Sequence, residues 1–271
     1  YRGAQIAVAE AARNLTCVGA DPAAVTDCLN FGKPEKPDRF WQLTRAVEGI
    51  ADACRAFRVP VVSGNVSLYN EGPDAAVYPT PTIGMVGVLD KVSQRTGLAF
   101  QQEEHLVGLV GATLPELGGS EYLAVTHGLE AGLPPALDLQ HEIAAQQFVL
   151  EAIKWGMIAS AHDCAEGGLA VAAAESAIAG GLGVEIGVPL VERPDMSLFA
   201  ESQSRILLSF DPAYAEVLTA LAAKLGVPFD IIGTVGGDRV RICVDAELLI
   251  DLPLNECAEA FNTPIYRAMG E

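Results

Sequence analysis

An α/β chain built as two successive units is what these 271 residues predict. Three observations carry that expectation. Half of the residues are hydrophobic and 19% are charged, as in a folded globular protein. Helix-period and strand-like apolar runs alternate along the chain, as in α/β domains. The alternation pauses at Lys91 to Gly97, a connector, so the units are expected at 1–93 and 97–271.

In the first unit, Ala4, Val8, Ala11 and Leu15 form an apolar stripe at helical spacing. Ala23 to Thr26 reads as a short strand ending at Asp27, and Gly32, Pro34 and Pro37 mark the loop that follows. Asp38 is placed as the N-cap of the next helix. That helix sets Phe40, Leu43, Val47, Ile50, Ala51, Cys54 and Phe57 on one face and stops near Arg58, ahead of Pro60. Pro60 to Val62 is read as a strand end opening into a polar loop of Ser63, Gly64, Asn65 and Ser67. Ile83 to Leu89 is a further strand.

In the second unit, strands are expected at Leu106 to Val110, Ile158 to Ala161, Gly183 to Ile186, Ile206 to Phe210, Asp230 to Val235 and Val240 to Val244. Helices are expected at Glu121 to Val125, from an Asp138 cap to Trp155, at Leu169 to Ala179 and at Pro212 to Leu225. Leu252 to Glu271 has weak patterning.

Composition narrows the function. A net charge of −18 argues against generic nucleic-acid or anionic-membrane binding. No apolar run is long enough to span a bilayer, so no membrane association is expected. The six cysteines form no C-x-x-C pair, which fits a reducing, cytoplasmic setting. The chain begins at Tyr1 and is read as a piece of a longer protein. Lys33, Lys36 and Arg39 form a local basic cluster against this acidic background, which a solvated loop also explains.

Three constellations offer chemistry. Asp27 and the run Gly64, Asn65, Ser67 follow two strands, and if those strands are neighbours the four residues converge. A carboxylate and an amide oxygen are the hard ligands that Mg²⁺ takes, and a glycine lets a nucleotide approach the backbone. No P-loop pattern is present. The run H-D-C-A-E-G-G-L, His162 to Leu169, pairs a polar strand end with a glycine-rich helix start, suited to an anion or to plain capping. Glu201, Ser202, Gln203 and Arg205 precede a buried strand, as ligand contacts or as an exposed strand start. His105, His127 and His141 are expected at the surface.

The runs V-T-D-C-L-N-F-G-K-P-E-K-P, W-Q-L-T-R-A-V-E-G-I-A-D-A-C-R-A-F, V-P-V-V-S-G-N-V-S-L-Y-N-E and Y-P-T-P-T-I-G-M-V-G-V-L resemble phosphoribosylformylglycinamidine synthase. The likeness is to the C-terminal half of its synthetase subunit, and S-A-H-D-C-A-E-G-G-L-A-V-A and L-F-A-E-S-Q-S-R extend it through the second unit. The resemblance implies an aminoimidazole-ribonucleotide-synthetase-like N-terminal domain followed by an α/β C-terminal domain. It implies ATP contacts at Asp27 and Gly64, a Mg²⁺ ligand at Asn65 and a substrate contact at Ser67. It also implies three partners: the N-terminal half of the same subunit, a glutaminase subunit and a small accessory subunit. The family's S-H-N-H-P-S motif is absent here, so the piece is expected to be inactive alone. Its E-S-Q substrate triplet belongs to the other half, and no such role is transferred to Glu201, Ser202 and Gln203. Two other readings stand beside this one: a non-catalytic half holding a structural nucleotide, and another synthetase of the same fold group.

Overall fold

The computed structural model describes residues 1–270. It opens with α1 (Arg2–Cys17), β1 (Asp21–Asn30), α2 (Pro37–Phe57), β2 (Val61–Ser67) and β3 (Thr80–Val88). These strands form a three-stranded sheet in the order β2-β1-β3, with β1 parallel to β2 and antiparallel to β3. Helices α1 and α2 cover one face through Ala4, Val8, Val25, Leu29, Ile50, Ala53 and Cys54, all buried. The other face is open: Val86 is 63% exposed and Val88 58%.

A single 3-10 turn, Val92–Gln94, leads to the second unit. There β4 (Leu106–Val110), α3 (Glu121–His127), α4 (Leu139–Lys154), β5 (Ser160–Asp163), α5 (Gly168–Gly180), β6 (Val184–Val188), α6 (Pro194–Phe199), β7 (Ile206–Phe210), α7 (Ala215–Leu225), β8 (Phe229–Val235), β9 (Arg239–Val244), β10 (Glu247–Pro253), α8 (Leu254–Asn262) and α9 (Pro264–Met269) follow. The seven strands pair in the order β10-β9-β6-β8-β4-β7-β5, and only β6 and β9 are parallel. Strand alternation splits the apolar residues between two faces. Leu109 and Leu207 join α5 and α6 in one core, while Val110, Ile206, Leu208 and Phe210 join α4 and α7 in the other.

Several expectations hold: Asp138 caps α4 by accepting from the amides of Gln140 and His141, and β4 and β7 fall where the apolar runs place them. Others are corrected. The polar run Ser63 to Ser67 is not a loop but most of β2, and Asp27 lies inside β1 rather than at its end. Parallel pairing between the two strands satisfies their backbones and overrides the turn preference of Ser, Gly and Asn. The N-cap of α2 is Lys36, not Asp38, because Pro37 takes the first helical position. Phe40 and Val47 are exposed rather than in the core. His105 is buried, not at the surface. The tail from Leu252, expected to be weakly patterned, holds the last two residues of β10 and then α8 and α9; Glu271 lies outside the described residues.

Candidate nucleotide site

The β1–β2 register places Asp27 opposite Gly64, Cys28 opposite Asn65 and Asn30 opposite Ser67. Gly64 is required by its neighbour. A Cβ there would overlap the Asp27 carboxylate and come 3.1 Å from the Asp27 carbonyl oxygen. Asp27 therefore leans over bare backbone on the edge strand of its sheet. Partial burial beside Cys54, without a cation, raises its carboxyl above the usual carboxylate range.

Pleating then separates the four residues. Ser63 Oγ donates to Thr26 Oγ1 at 2.8 Å, and Asn65 Nδ2 lies 3.9 Å from Cys28 Sγ, so these pairs share the open face. Asp27, Gly64 and the buried Val25 and Leu29 occupy the helix side. The expected convergence of all four residues in one crevice is thus corrected: Asp27 and Gly64 meet on one face, and Asn65 and Ser67 point to the other. β2 is the edge strand of the sheet, so its outer backbone edge is unpaired.

Ser67 lies in a tight network. Its Oγ is 3.2 Å from Asn70 Nδ2, and the same amide donates to the carbonyls of Ser67 at 2.8 Å and Phe31 at 3.2 Å. The ends of β1 and β2 are joined further by Phe31 N donating to Ser67 O at 3.0 Å. Asn65 supplies a hard oxygen without a carboxylate beside it on its face. It would suit Mg²⁺ as one protein ligand. Among the described residues no group of three or more His, Cys, Asp or Glu side chains is arranged to hold a metal.

A second cluster forms at the end of β5. His162 Nε2 is 2.8 Å from Glu175 and Nδ1 is 3.5 Å from Asp163. Burial opposes the imidazolium, but the two carboxylates outweigh it and lift the ring's pKa to about 9. Glu10 of α1 and Glu166 line the same cavity, about 240 Å³ in volume, and the buried Asp163 Oδ2 has no hydrogen-bond partner. Burial, and next the charges of Glu166 and Asp163, raise the Glu10 carboxyl.

The E-S-Q run is absorbed by the fold. Glu201 Oε1 accepts from the amides of Gly167 and Glu121, each at 2.9 Å. Ser202 Oγ accepts from Leu114 N at 2.9 Å. Gln203 Oε1 accepts from Arg13 Nη2 at 2.9 Å, while Arg13 forms a bidentate buried pair with Glu142 at 2.9 and 3.1 Å. Sequence reasoning missed Arg13 and Glu142. Each is one of several charges on its helix, and neither helix pattern marks which of them is buried.

Family models match both units: the AIR synthase related protein N-terminal domain over residues 1–89 and the corresponding C-terminal domain over 102–245. The phosphoribosylformylglycinamidine synthase subunit PurL of Moorella thermoacetica is 53% identical over 264 residues, which are 97% of this chain and 36% of that protein. The subunit of the same name from Anaeromyxobacter dehalogenans is 48% identical over 275 residues, 98% of this chain and 36% of that protein. The chain therefore spans about a third of the length of these relatives. Among solved structures, Thermotoga maritima PurL complexed with FGAR aligns with a TM-score of 0.76 at 22% identity, covering 95% of this chain and 43% of that one. The same protein complexed with ATP aligns at 0.73 and 23%, covering 95% and 41%. Escherichia coli HypE, a hydrogenase maturation protein, aligns at 0.69 and 18%, covering 92% and 79%. At these identities the structural likeness establishes the fold.

Proposed function

The chain belongs to the AIR synthase related protein family, with both its N-terminal and C-terminal domains, and from that premise we propose that it is the C-terminal half of a phosphoribosylformylglycinamidine synthase synthetase subunit. The whole enzyme, in this reading, uses ATP to phosphorylate the formylglycinamide oxygen of its ribonucleotide substrate. Ammonia then adds at that carbon and phosphate leaves, giving the amidine, ADP and phosphate. Phosphorylation matters because it converts a poor leaving oxygen into a good one. The enzyme is thus a carbon–nitrogen ligase of purine biosynthesis, working in the cytoplasm.

This half contributes contacts. Asp27 and Gly64 hold ATP, Asn65 is a Mg²⁺ ligand and Ser67 touches the substrate. Magnesium held by Asn65 would offset the charge of the nucleotide's phosphates. The observation that carries the reading is the bare Gly64 backbone beneath the Asp27 carboxylate on an open edge strand. A ligand laid over that edge reaches Asp27 on one side and Asn65 and Ser67 on the other. The two units, 1–93 and 97–271, are taken as its two domains.

The absence of an S-H-N-H-P-S motif from this sequence supports catalytic groups in the N-terminal half of the subunit and a piece that is inactive alone. The open face carrying Val86 and Val88 supports docking of that half here. Ammonia comes from a glutaminase subunit, with a small accessory subunit in the complex. The same missing motif favours a second reading, a half that holds a nucleotide without turning it over.

Calorimetry of this chain with Mg·ATP tests the site. Binding is expected, weakened at least tenfold by Asp27→Asn and by Asn65→Ala. Affinity untouched by both substitutions sinks the assignment. Steady-state turnover of the full-length subunit carrying Asn65→Ala separates the readings: a lowered rate supports the catalytic one, and an unchanged rate the structural one.

A further inference from the structure

The seven-stranded sheet has a notch in it. Pairing of β6 with β8 stops at Ile186 and Gly233, while β6 goes on pairing with β9 to Val188 and β8 with β4 to Phe229. A bulge in β8 parts the strands. Val107 pairs with Gly233 and Gly108 with Ile231, so Ile232 is an extra residue and β8 bends there. Both strands line a cavity of about 410 Å³ at this place, a volume that suits a small molecule. Leu109, Val188 and Ile232, all from one core face, give it an apolar floor. Ser197 of α6 fixes a rim, accepting from Val191 N at 2.8 Å and donating to Pro189 O at 3.1 Å.

Two opposite charges meet this cavity unanswered. Asp230 pairs across the sheet with Leu109, so its side chain takes the face that its neighbours give to the core. It lines the cavity, is exposed, and makes no side-chain hydrogen bond or ion pair among the described residues. A carboxylate on a core-facing strand position calls for a donor or a cation. The positive charge is that of Arg205, fully buried and without an ion pair among the described residues. Its guanidinium donates to the carbonyls of Ser202, at 3.1 Å, and Ala200, and to Thr113 Oγ1 at 3.0 Å. Thr113 lines the cavity as well. Since its oxygen accepts from Arg205, its own hydroxyl proton is free to donate, and the guanidinium behind it strengthens that donor.

A lone anion or a lone cation would answer one of these charges and leave the other. A ligand with both charges on a short frame and an apolar side chain answers all three features. We propose that this cavity binds a small α-amino acid with a branched apolar side chain, its ammonium group on Asp230 and its carboxylate on Thr113. The site lies wholly in the second unit and shares no residue with Asp27 and Gly64 to Ser67, so it stands or falls apart from the nucleotide reading.

Calorimetry of this chain with leucine, isoamylamine and isocaproate tests the proposal. The last two are the leucine frame without its carboxylate and without its amino group. Leucine is expected to bind saturably at millimolar concentrations or below, and each of the other two about tenfold more weakly, for the loss of one charge-assisted hydrogen bond. Asp230→Asn should weaken leucine by a similar factor and leave isocaproate unchanged. Thr113→Val should weaken leucine and leave isoamylamine unchanged, and Thr113→Ser should keep parent affinity. Thermal unfolding of each variant is compared with the parent; if Thr113→Val fails to fold, the exposed Asp230 still carries the test. No saturable leucine binding by the parent, equal affinity for leucine and either analogue, or parent-like leucine binding by Asp230→Asn overturns the proposal.

Discussion

Gly64 and Asp27 act as one unit. The carboxylate occupies the space where any other residue at 64 would carry its Cβ. Gly64→Ala should cost about 1–3 kcal/mol through overpacking. Much of that cost should vanish in an Asp27→Ala background, with a coupling of about 1 kcal/mol or more measured by urea unfolding of the four proteins. Additive effects would show that the two residues do not share that space. Glu201, Ser202 and Gln203 teach the complementary lesson. Their sequence context suits a ligand triplet, yet each side chain is occupied by a backbone amide or by Arg13.

At the scale of elements, pairing decides more than propensity. The run Ser63 to Ser67 has turn-forming composition and becomes a strand because β1 lies beside it in register. One consequence of strand geometry is the two-sided site, since residues one apart face opposite ways. In β5, His162 lies between Asp163 and Glu175, and their charges hold its pKa near 9, above the ordinary histidine value. The folded state then binds the proton more tightly than the unfolded chain. Its stabilising contribution is complete below about pH 6.5, the unfolded value, and is lost as pH rises through about 9. The deficit of His162→Gln against the parent should therefore be largest near neutral and mildly acidic pH and should fade by about pH 10. Urea midpoints across that range check it; a pH-independent deficit would assign His162 to packing alone.

For the whole molecule, the joint between the two units rests on α1. Arg13 reaches from α1 to Glu142 on α4 and to Gln203 ahead of β7. Gln146 and Ser204 donate to the same carboxylate at 2.8 and 2.6 Å. Burial opposes the Glu142 charge, and Arg13 together with these donors outweighs it and holds the carboxyl below its usual range. Breaking such a pair leaves an uncompensated buried charge. Arg13→Met should cost about 3–5 kcal/mol, and Arg13→Met with Glu142→Leu should recover part of it. Differential scanning calorimetry should show one cooperative transition in the parent and two separated transitions in Arg13→Met if this joint couples the units. A single unshifted transition would remove the pair from that role.

Much of this protein is legible in its residues. Helical periodicity located α1, α2 and α4, apolar runs located β4 and β7, and the segments at Asp27 and Gly64 to Ser67, read as a strand end and a loop, lie in neighbouring strands. Local covalent chemistry sets those signals, so they survive without neighbours. Only the folded chain decided which face each polar residue takes, that Phe40 stays in solvent, and that Arg13 and Glu142 meet in the interior. Those outcomes depend on strand register and on packing between residues more than a hundred positions apart, which no local pattern encodes.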